Sequence, residues 1–266
     1  MDEHEVSPKH PRADSLRIRS KLVHGFEEGI TSTFGLFAHG RGEAFDYLIG
    51  EKTTTNAKKA IQAAAASFLL AQHPVISVNG NVAALVPKEL VKLAIVANGL
   101  LEVNLYHRSP EREAAIAQAL RNAGATSIYG LDSKFHKTIP EIHSDRRVVD
   151  QRGLFKADLA FVPLEDGDRT EGLVKQGKKV ITVDLNPLSR TAQMANITIV
   201  DNIVRALPLL VSTIIDLKQK EKGDLEYIQQ KFNNHHNLSE AIQLINRRLS
   251  ELAGAQGAKG EEGVGK

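Results

Sequence analysis

The stretch HPVISVNGN, residues 73–81, decides the fold. Val75–Val78 is a short β-branched run with no face reserved for solvent. Asn79-Gly80-Asn81 then turns the chain into the small residues Val82-Ala83-Ala84. A strand buried in a parallel sheet is apolar on both faces, so the run predicts such a strand leading straight into a helix. The rhythm continues downstream. Leu101–Leu105, Ser127–Tyr129, Leu159–Val162, Val180–Val183 and Ile197–Ile199 read as further strands. Helical stretches lie between them at about Lys88–Asn98, Pro110–Ala123, Thr170–Lys175, Leu188–Met194 and Ile203–Lys218. This alternation predicts an α/β protein with a Rossmann-like doubly wound parallel sheet across residues 73–218.

Residues 1–72 read as an N-terminal helical segment. A helix is expected from about Ala13 to Glu28. Gly35–Gly42 (GLFAHGRG) is glycine-rich enough to predict a loop, with a short helix over Glu43–Ile49. Asn56–Gln72 is alanine-rich, suited to close packing on all sides. Residues 219–253 predict two C-terminal helices, around Leu225–Phe232 and Leu238–Leu252. The stripe Leu238, Ile242, Ile245 and Leu249 requires a partner. Residues 254–266, rich in Gly, Ala, Glu and Lys, are expected to be disordered.

Composition narrows the function. The chain has 266 residues, 42% hydrophobic and 25% charged, and a net charge of +2. That charge gives no bulk basic field of the kind that drives non-specific nucleic-acid binding. There is no cysteine, which excludes disulfides, thiolate metal sites and a thiol nucleophile. No apolar run approaches bilayer length and the N-terminus has no apolar signal core, so a cytoplasmic location is expected. The ten histidines match no zinc spacing: His136 and His143 fit no motif, and His235 and His236 diverge on a helix. GxGxxG, G-x-S-x-G and the P-loop pattern are all missing.

In open α/β sheets ligands bind beyond the carboxyl ends of the strands, so the candidate residues are sought there. The Asn79–Ala84 turn has small residues that let backbone amides approach a phosphate; the plainer reading is a tight turn. Asp184-Leu185-Asn186 with Ser189, Arg190 and Thr191 puts an acid and an arginine after an apolar strand. The acid suits ribose hydroxyls and the arginine a phosphate, or the residues simply cap a helix. Asp201-Asn202-Ile203 has the same form and the same capping alternative. Arg41, between Gly40 and Gly42, offers a planar fork for phosphate or carboxylate, against a solvated loop. Glu165, Asp166 and Asp168 with Arg169 can hold Mg²⁺ or position an amine, or form an acidic turn. Arg146, Arg147 and Arg152 read as a solvated basic loop that could otherwise clamp an anion.

Several stretches together resemble one family. These are His10-Pro11-Arg12 with residues 17–22, GLFAHGRGEAFDYLIGE from Gly35, HPVISVNGN from His73, VPLEDGDRTEGLV from Val162, VDLNPLSRTA from Val183 and IVDNIVRA from Ile199. They resemble the archaeal phosphopantothenate synthetases, also called 4-phosphopantoate–β-alanine ligases, over about Arg12 to Leu210. The resemblance implies that ATP, 4-phosphopantoate and β-alanine give 4′-phosphopantothenate, AMP and diphosphate, on the way to coenzyme A. It implies a homodimer and Mg²⁺. It also implies nucleotide contacts from Arg19, Arg41, Asp184, Leu185, Asn186, Arg190, Thr191, Asn202 and Ile203, with Arg19, Arg41 and Arg190 as catalytic groups. Asn79, Gly80 and Asn81 are then expected to hold the phosphate of phosphopantoate, with Asp166 and Arg169 beside the substrates. Two rivals share the fold: a nicotinamide-dependent oxidoreductase, which the missing GxGxxG disfavours, and a non-catalytic nucleotide-binding regulator.

Overall fold

The computed structural model describes residues 6–263, with side chains to residue 255. Five parallel strands form the sheet: β1 (Pro74–Val78), β2 (Leu100–Val103), β5 (Leu159–Phe161), β6 (Lys179–Val183) and β7 (Ile197–Ile199). Their order is β2-β1-β5-β6-β7. Counting only these strands along the chain, that is 2-1-3-4-5, a doubly wound arrangement whose order reverses between β1 and β5. The α/β reading therefore holds. The Ser127–Tyr129 strand does not form as expected. Only a bridge between Glu102 and Tyr129 is made before Gly130 turns the chain away at φ 86°.

Period-two alternation divides the strands between two apolar layers. Ile76, Val78, Leu159, Phe161, Ile181 and Val183 enter the larger one. Val75, Ala160, Val162 and Val180 enter the smaller. Over the larger layer pack α3 (Thr55–Leu70), α5 (Pro87–Val96) and α9 (Ile203–Leu217). The alanines of α3 allow this: Ala57, Ala60 and Ala63 to Ala66 are all buried, so α9, β7 and α10 (Lys222–Lys231) can approach on different sides. Under the smaller layer lie α7 (Gly167–Lys175) and the excursion between α6 (Pro110–Asn122) and β5. That excursion contains an antiparallel pair, β3 (His136–Thr138) and β4 (Val148–Asp150), absent from the sequence reading. Buried Glu102 on β2 pins it, accepting from the backbone N–H groups of Asp150 (3.0 Å) and Leu154 (2.6 Å). Among the described residues no helix is long and apolar enough to cross a membrane.

Two helical expectations change. The predicted loop at Gly35–Gly42 is helix. After α1 (Ala13–Glu27), α2 runs unbroken from Thr33 to Ile49, and Ser32 caps it by accepting from the Gly35 N–H. Glycine costs a helix roughly 1 kcal/mol per residue relative to alanine. Close approach is what it gains here: a Cβ on Gly35 would lie 2.3 Å from Asn81 Oδ1. Gly35 thus lets α2 press on α4 (Gly80–Leu85), whereas a Cβ on Gly40 would meet nothing within 4 Å. At the other end, α11 spans Asn234–Gly263 and continues into the stretch expected to be disordered. Of its expected stripe, Leu238 packs near α8 (Arg190–Met194) and Ile245 joins Ile49 and Leu185, while Leu249 is exposed.

Candidate functional site

Two neighbouring cavities open at the carboxyl rim of the sheet. The first, about 430 Å³, is lined by residues following β5, β6 and β7 and by one side of α2. The second, about 560 Å³, lies by the β1 and β5 ends, at the topological reversal. Ala38, Asn81, Leu164 and Asp166 line both. Leu164 holds a left-handed backbone, φ 54°, that a non-glycine residue adopts only under local constraint. The Leu164 N–H bonds the Val183 carbonyl, and the Asn79 amide donates to the Leu164 carbonyl, which fixes it there.

The first cavity gathers most of the expected nucleotide contacts: Arg41, Asp184, Leu185, Asn186, Arg190, Thr191, Asn202 and Ile203. Asp184 closes an Asx-type turn, accepting from the Asn186 N–H (2.9 Å) and the Ser189 hydroxyl. Burial pushes its carboxyl up, while those two donors and Arg41 oppose the rise. Each carboxylate oxygen retains acceptor capacity after one bond, so Asp184 can still receive hydroxyl donors. Ser189 caps α8 by accepting from the Ala192 N–H. Arg190 is exposed and paired with Glu171. The Thr191 hydroxyl donates to the Glu165 carbonyl at 2.7 Å, tying the turn after β6 to the turn after β5. Arg41 has no ion-pair partner among the described residues and lines the cavity. Phe45, Leu85, Leu164, Leu185 and Ile203 give the same cavity an apolar side. His39, also lining it, has its pKa lowered by burial and so stays neutral near pH 7.

An ion network sets α2 against this rim. Asp46 accepts from the Asn202 amide at 2.9 Å and from Arg205 at 2.5 and 3.1 Å. Asp201 accepts from Thr53, from the Asn202 N–H and from Arg205. Asn202 also caps α9 through the Val204 N–H. For Asn202 the capping alternative is therefore what the structure displays, with a tether to α2 added. Arg19 stands apart. It forks onto Glu43 at 2.7 to 3.2 Å and does not line the cavity.

The second cavity holds Asn79, Gly80, Asn81 and Asp166. The two asparagines are structurally engaged. Asn79 accepts from the Val82 N–H and donates to the Pro163 carbonyl, stitching β1 to β5 across the reversal. Asn81 donates to the Gly35 carbonyl and so seats α2. A Cβ on Gly80 would lie 2.3 Å from the Ile30 carbonyl oxygen, so only glycine fits. Arg169 lines neither cavity. It is wholly buried, donating to Ser77 (2.7 Å) and Glu165 (3.0 Å). In the sequence it stood among Glu165, Asp166 and Asp168 and read as a substrate contact; the spacing of four to Glu165 gave no sign that the pair would be buried.

The acids of the turn after β5 are already committed. Glu165 sits between Arg146 and Arg169, Asp166 pairs with Arg146 at 2.9 Å, and Asp168 accepts from the His143 N–H at 3.0 Å. No cluster of three or more His, Asp or Glu side chains suited to a metal occurs among the described residues. Arg146, read from composition as solvated, is buried. Arg152 instead lies against the Phe135 ring, 3.4 Å from its centroid, and forks onto Asp150. No local pattern distinguished the two arginines. Their separation depends on how the excursion folds back.

A doubly wound α/β protein whose two adjoining cavities lie at the carboxyl rim of the sheet, one of them at the reversal of strand order, has its site where this class of fold binds its ligands. Comparison with known sequences refines that class. The phosphopantothenate/pantothenate synthetase family matches residues 56–248. A 4-phosphopantoate–β-alanine ligase of Thermococcus kodakarensis is 51% identical over 260 residues, 97% of this chain and 96% of that protein. Proteins of the same description from Thermococcus onnurineus (50%, covering 94% and 95%) and Methanosarcina mazei (47%, covering 95% and 99%) are similar. The chain belongs to the phosphopantothenate/pantothenate synthetase family.

Proposed function

We propose that this chain is a ligase that condenses 4-phosphopantoate with β-alanine, consuming ATP and leading toward coenzyme A. The observation that carries the reading is the pair of adjoining cavities at one rim, with Arg41 and Asp184 in one and room for a second anion in the other. Family membership and close relatives of that description support it.

The first cavity takes the nucleotide. Asp184 and the Asn186 amide receive the ribose, Leu185 and Ile203 face the base, and Arg41, Arg190 and Thr191 meet the phosphates. Asn202 acts by seating α2. Arg190 joins by exchanging Glu171 for phosphate, and Arg19 by exchanging Glu43. Mg²⁺ enters as part of the ATP substrate. Magnesium is commonly held by phosphates and water with few protein oxygens, and that fits a site whose acids are already paired.

A pantoate carboxylate oxygen attacks the α-phosphorus as the bond to diphosphate breaks, giving an acyl adenylate. The β-alanine amine then attacks the acyl carbon, the carbon–oxygen bond to AMP breaks, and the amine proton passes to solvent. The first step brings two anions together, and positioned guanidinium groups offset that repulsion. Holding both reactants at adjoining sites supplies the rest, with no protein nucleophile required. Phe34 and Phe37 on α2, 67% and 78% exposed, support pairing with a second copy, as in a homodimer.

Product analysis tests the reading. ATP turnover should require both 4-phosphopantoate and β-alanine and should release AMP. ADP as the product, or turnover without the acid, would overturn it.

A further inference from the structure

The second cavity contains a cation without a counter-ion. Arg112, on α6, directs its fork at two neutral backbone carbonyls, those of His107 (2.8 Å) and Ile30 (3.3 Å). It makes no salt bridge among the described residues, and its Nε is buried without a partner among them. Burial, with neighbouring Arg146 second, lowers its pKa, so the site disfavours the charge it holds. Arg112 and Arg146 line the same 560 Å³ cavity as Asn79, Gly80 and Asp166. The surrounding charges do not balance. Arg112, Arg146 and Arg169 have only Glu165 and Asp166 as direct ion-pair partners among the described residues, and both acids are already bonded to Arg146 or Arg169. Glu102, the other acid whose charge reaches this group, acts on Arg169 and not on Arg112. A half-buried guanidinium beside another cation is costly unless an anion completes the group. Guanidinium is also the side chain best shaped to meet the tetrahedral oxygens of a phosphate.

We propose that Arg112, with Arg146 behind it, receives the phosphate of the acid substrate and thereby selects the phosphorylated acid over its unphosphorylated form. This rests on the ligase reading above and assigns the phosphate to side chains rather than to the Asn79–Ala84 turn. The side chains of the two asparagines of that turn are engaged within the protein, which leaves the turn its backbone amides to support the arginines. Gly80 contributes by letting Arg112 approach: a Cβ there would lie 3.1 Å from its guanidinium nitrogen.

The test compares wild type with Arg112→Gln and Arg112→Lys, using 4-phosphopantoate and unphosphorylated pantoate as acids. For Arg112→Gln, kcat/KM with 4-phosphopantoate should fall roughly 30-fold, the size of one charge-assisted contact. The value with pantoate and the KM for ATP should stay within about twofold, and Arg112→Lys should fall between, since it keeps the charge but loses the fork. Unchanged preference for the phosphorylated acid in Arg112→Gln would overturn the assignment. Because Arg112 also braces two carbonyls, a measurement on wild type stands beside the variants. Inorganic phosphate should inhibit competitively against 4-phosphopantoate and not against ATP, and the reverse pattern would refute the proposal. Failure of wild type to join 4-phosphopantoate to β-alanine at all would instead sink the ligase reading.

Discussion

Replacing Asp46 with alanine removes the buried carboxylate that holds α2 against the turn before α9. Three N–H donors lose their acceptor: the Asn202 amide at 2.9 Å and two Arg205 nitrogens at 2.5 and 3.1 Å. Stripping one member from a buried ion pair costs about 3–5 kcal/mol when the other charge is stranded. Arg205 is not fully stranded. Its side chain is 25% exposed and keeps Asp201 at 2.7 and 2.9 Å, so the lower end applies, about 3 kcal/mol. For a chain of this size that lowers Tm by about 6–12 °C. The site should respond as well. Arg41 lies on α2 little more than a turn before Asp46, and Asn202 and Ile203 lie on the other side of the tether. Asp46→Ala should therefore raise the KM for ATP more than that for β-alanine. Thermal unfolding and initial-rate kinetics read both effects, and a double-mutant cycle with Arg205→Ala should give a coupling of at least about 1 kcal/mol. An Asp46→Ala protein with wild-type Tm and wild-type ATP kinetics would refute the view that this network positions the site.

Three other substitutions separate binding from scaffolding. Arg41→Ala should leave Tm within a degree or two but lower kcat/KM for ATP by roughly 30- to 1000-fold, from the loss of about 2–4 kcal/mol of charge stabilisation. Undiminished AMP release would remove Arg41 from the mechanism. Arg169→Ala should do the opposite. It strands buried Glu165 with Arg146 alone and costs about 3–5 kcal/mol, read as a large fall in Tm, while any folded fraction keeps its substrate KM values. A stable Arg169→Ala protein with a raised KM would restore the substrate contact expected from sequence. Burial, the largest effect on Glu102, raises its pKa from 4.5 to about 7, although two backbone N–H donors favour the ionised form. A carboxyl raised on folding stabilises fully below its unfolded value, and that contribution is lost as pH climbs through the folded one. Stability should thus decline by about 3 kcal/mol between pH 4.5 and roughly 7 on account of this residue. Glu102→Gln should flatten that slope yet be less stable at pH 5, since an amide NH₂ must face a backbone N–H. An unaltered slope in the variant would show that another group titrates.

The sheet was legible because its strands are buried on both faces and carry apolar runs that few other elements produce. Ser127–Tyr129 was misread for the same reason: a three-residue apolar-looking run gives no hint that Gly130 will stop its pairing. Glycine misled at α2, where Gly35 serves close packing, and a single sequence cannot tell that use from chain reversal. Asp184 and Arg190 were visible because they follow a recognisable strand. Arg146 was visible only as the lesser alternative to a solvated loop, because its burial comes from an excursion folding beneath the sheet, and Arg112 was not visible at all, because the absence of a nearby partner acid is not periodic. His39 and Phe45 became visible only once α2 was known to be helical, which turns both toward the cavity.

The central claim is that nucleotide and acid lie side by side at one rim so that carboxylate oxygen meets α-phosphorus. The most direct test uses 4-phosphopantoate labelled with ¹⁸O in its carboxylate, followed by mass spectrometry of the nucleotide product. One labelled oxygen transferred into AMP, and none into diphosphate or orthophosphate, is the predicted result. Label in orthophosphate accompanied by ADP would mean attack at the γ-phosphorus and would contradict the account.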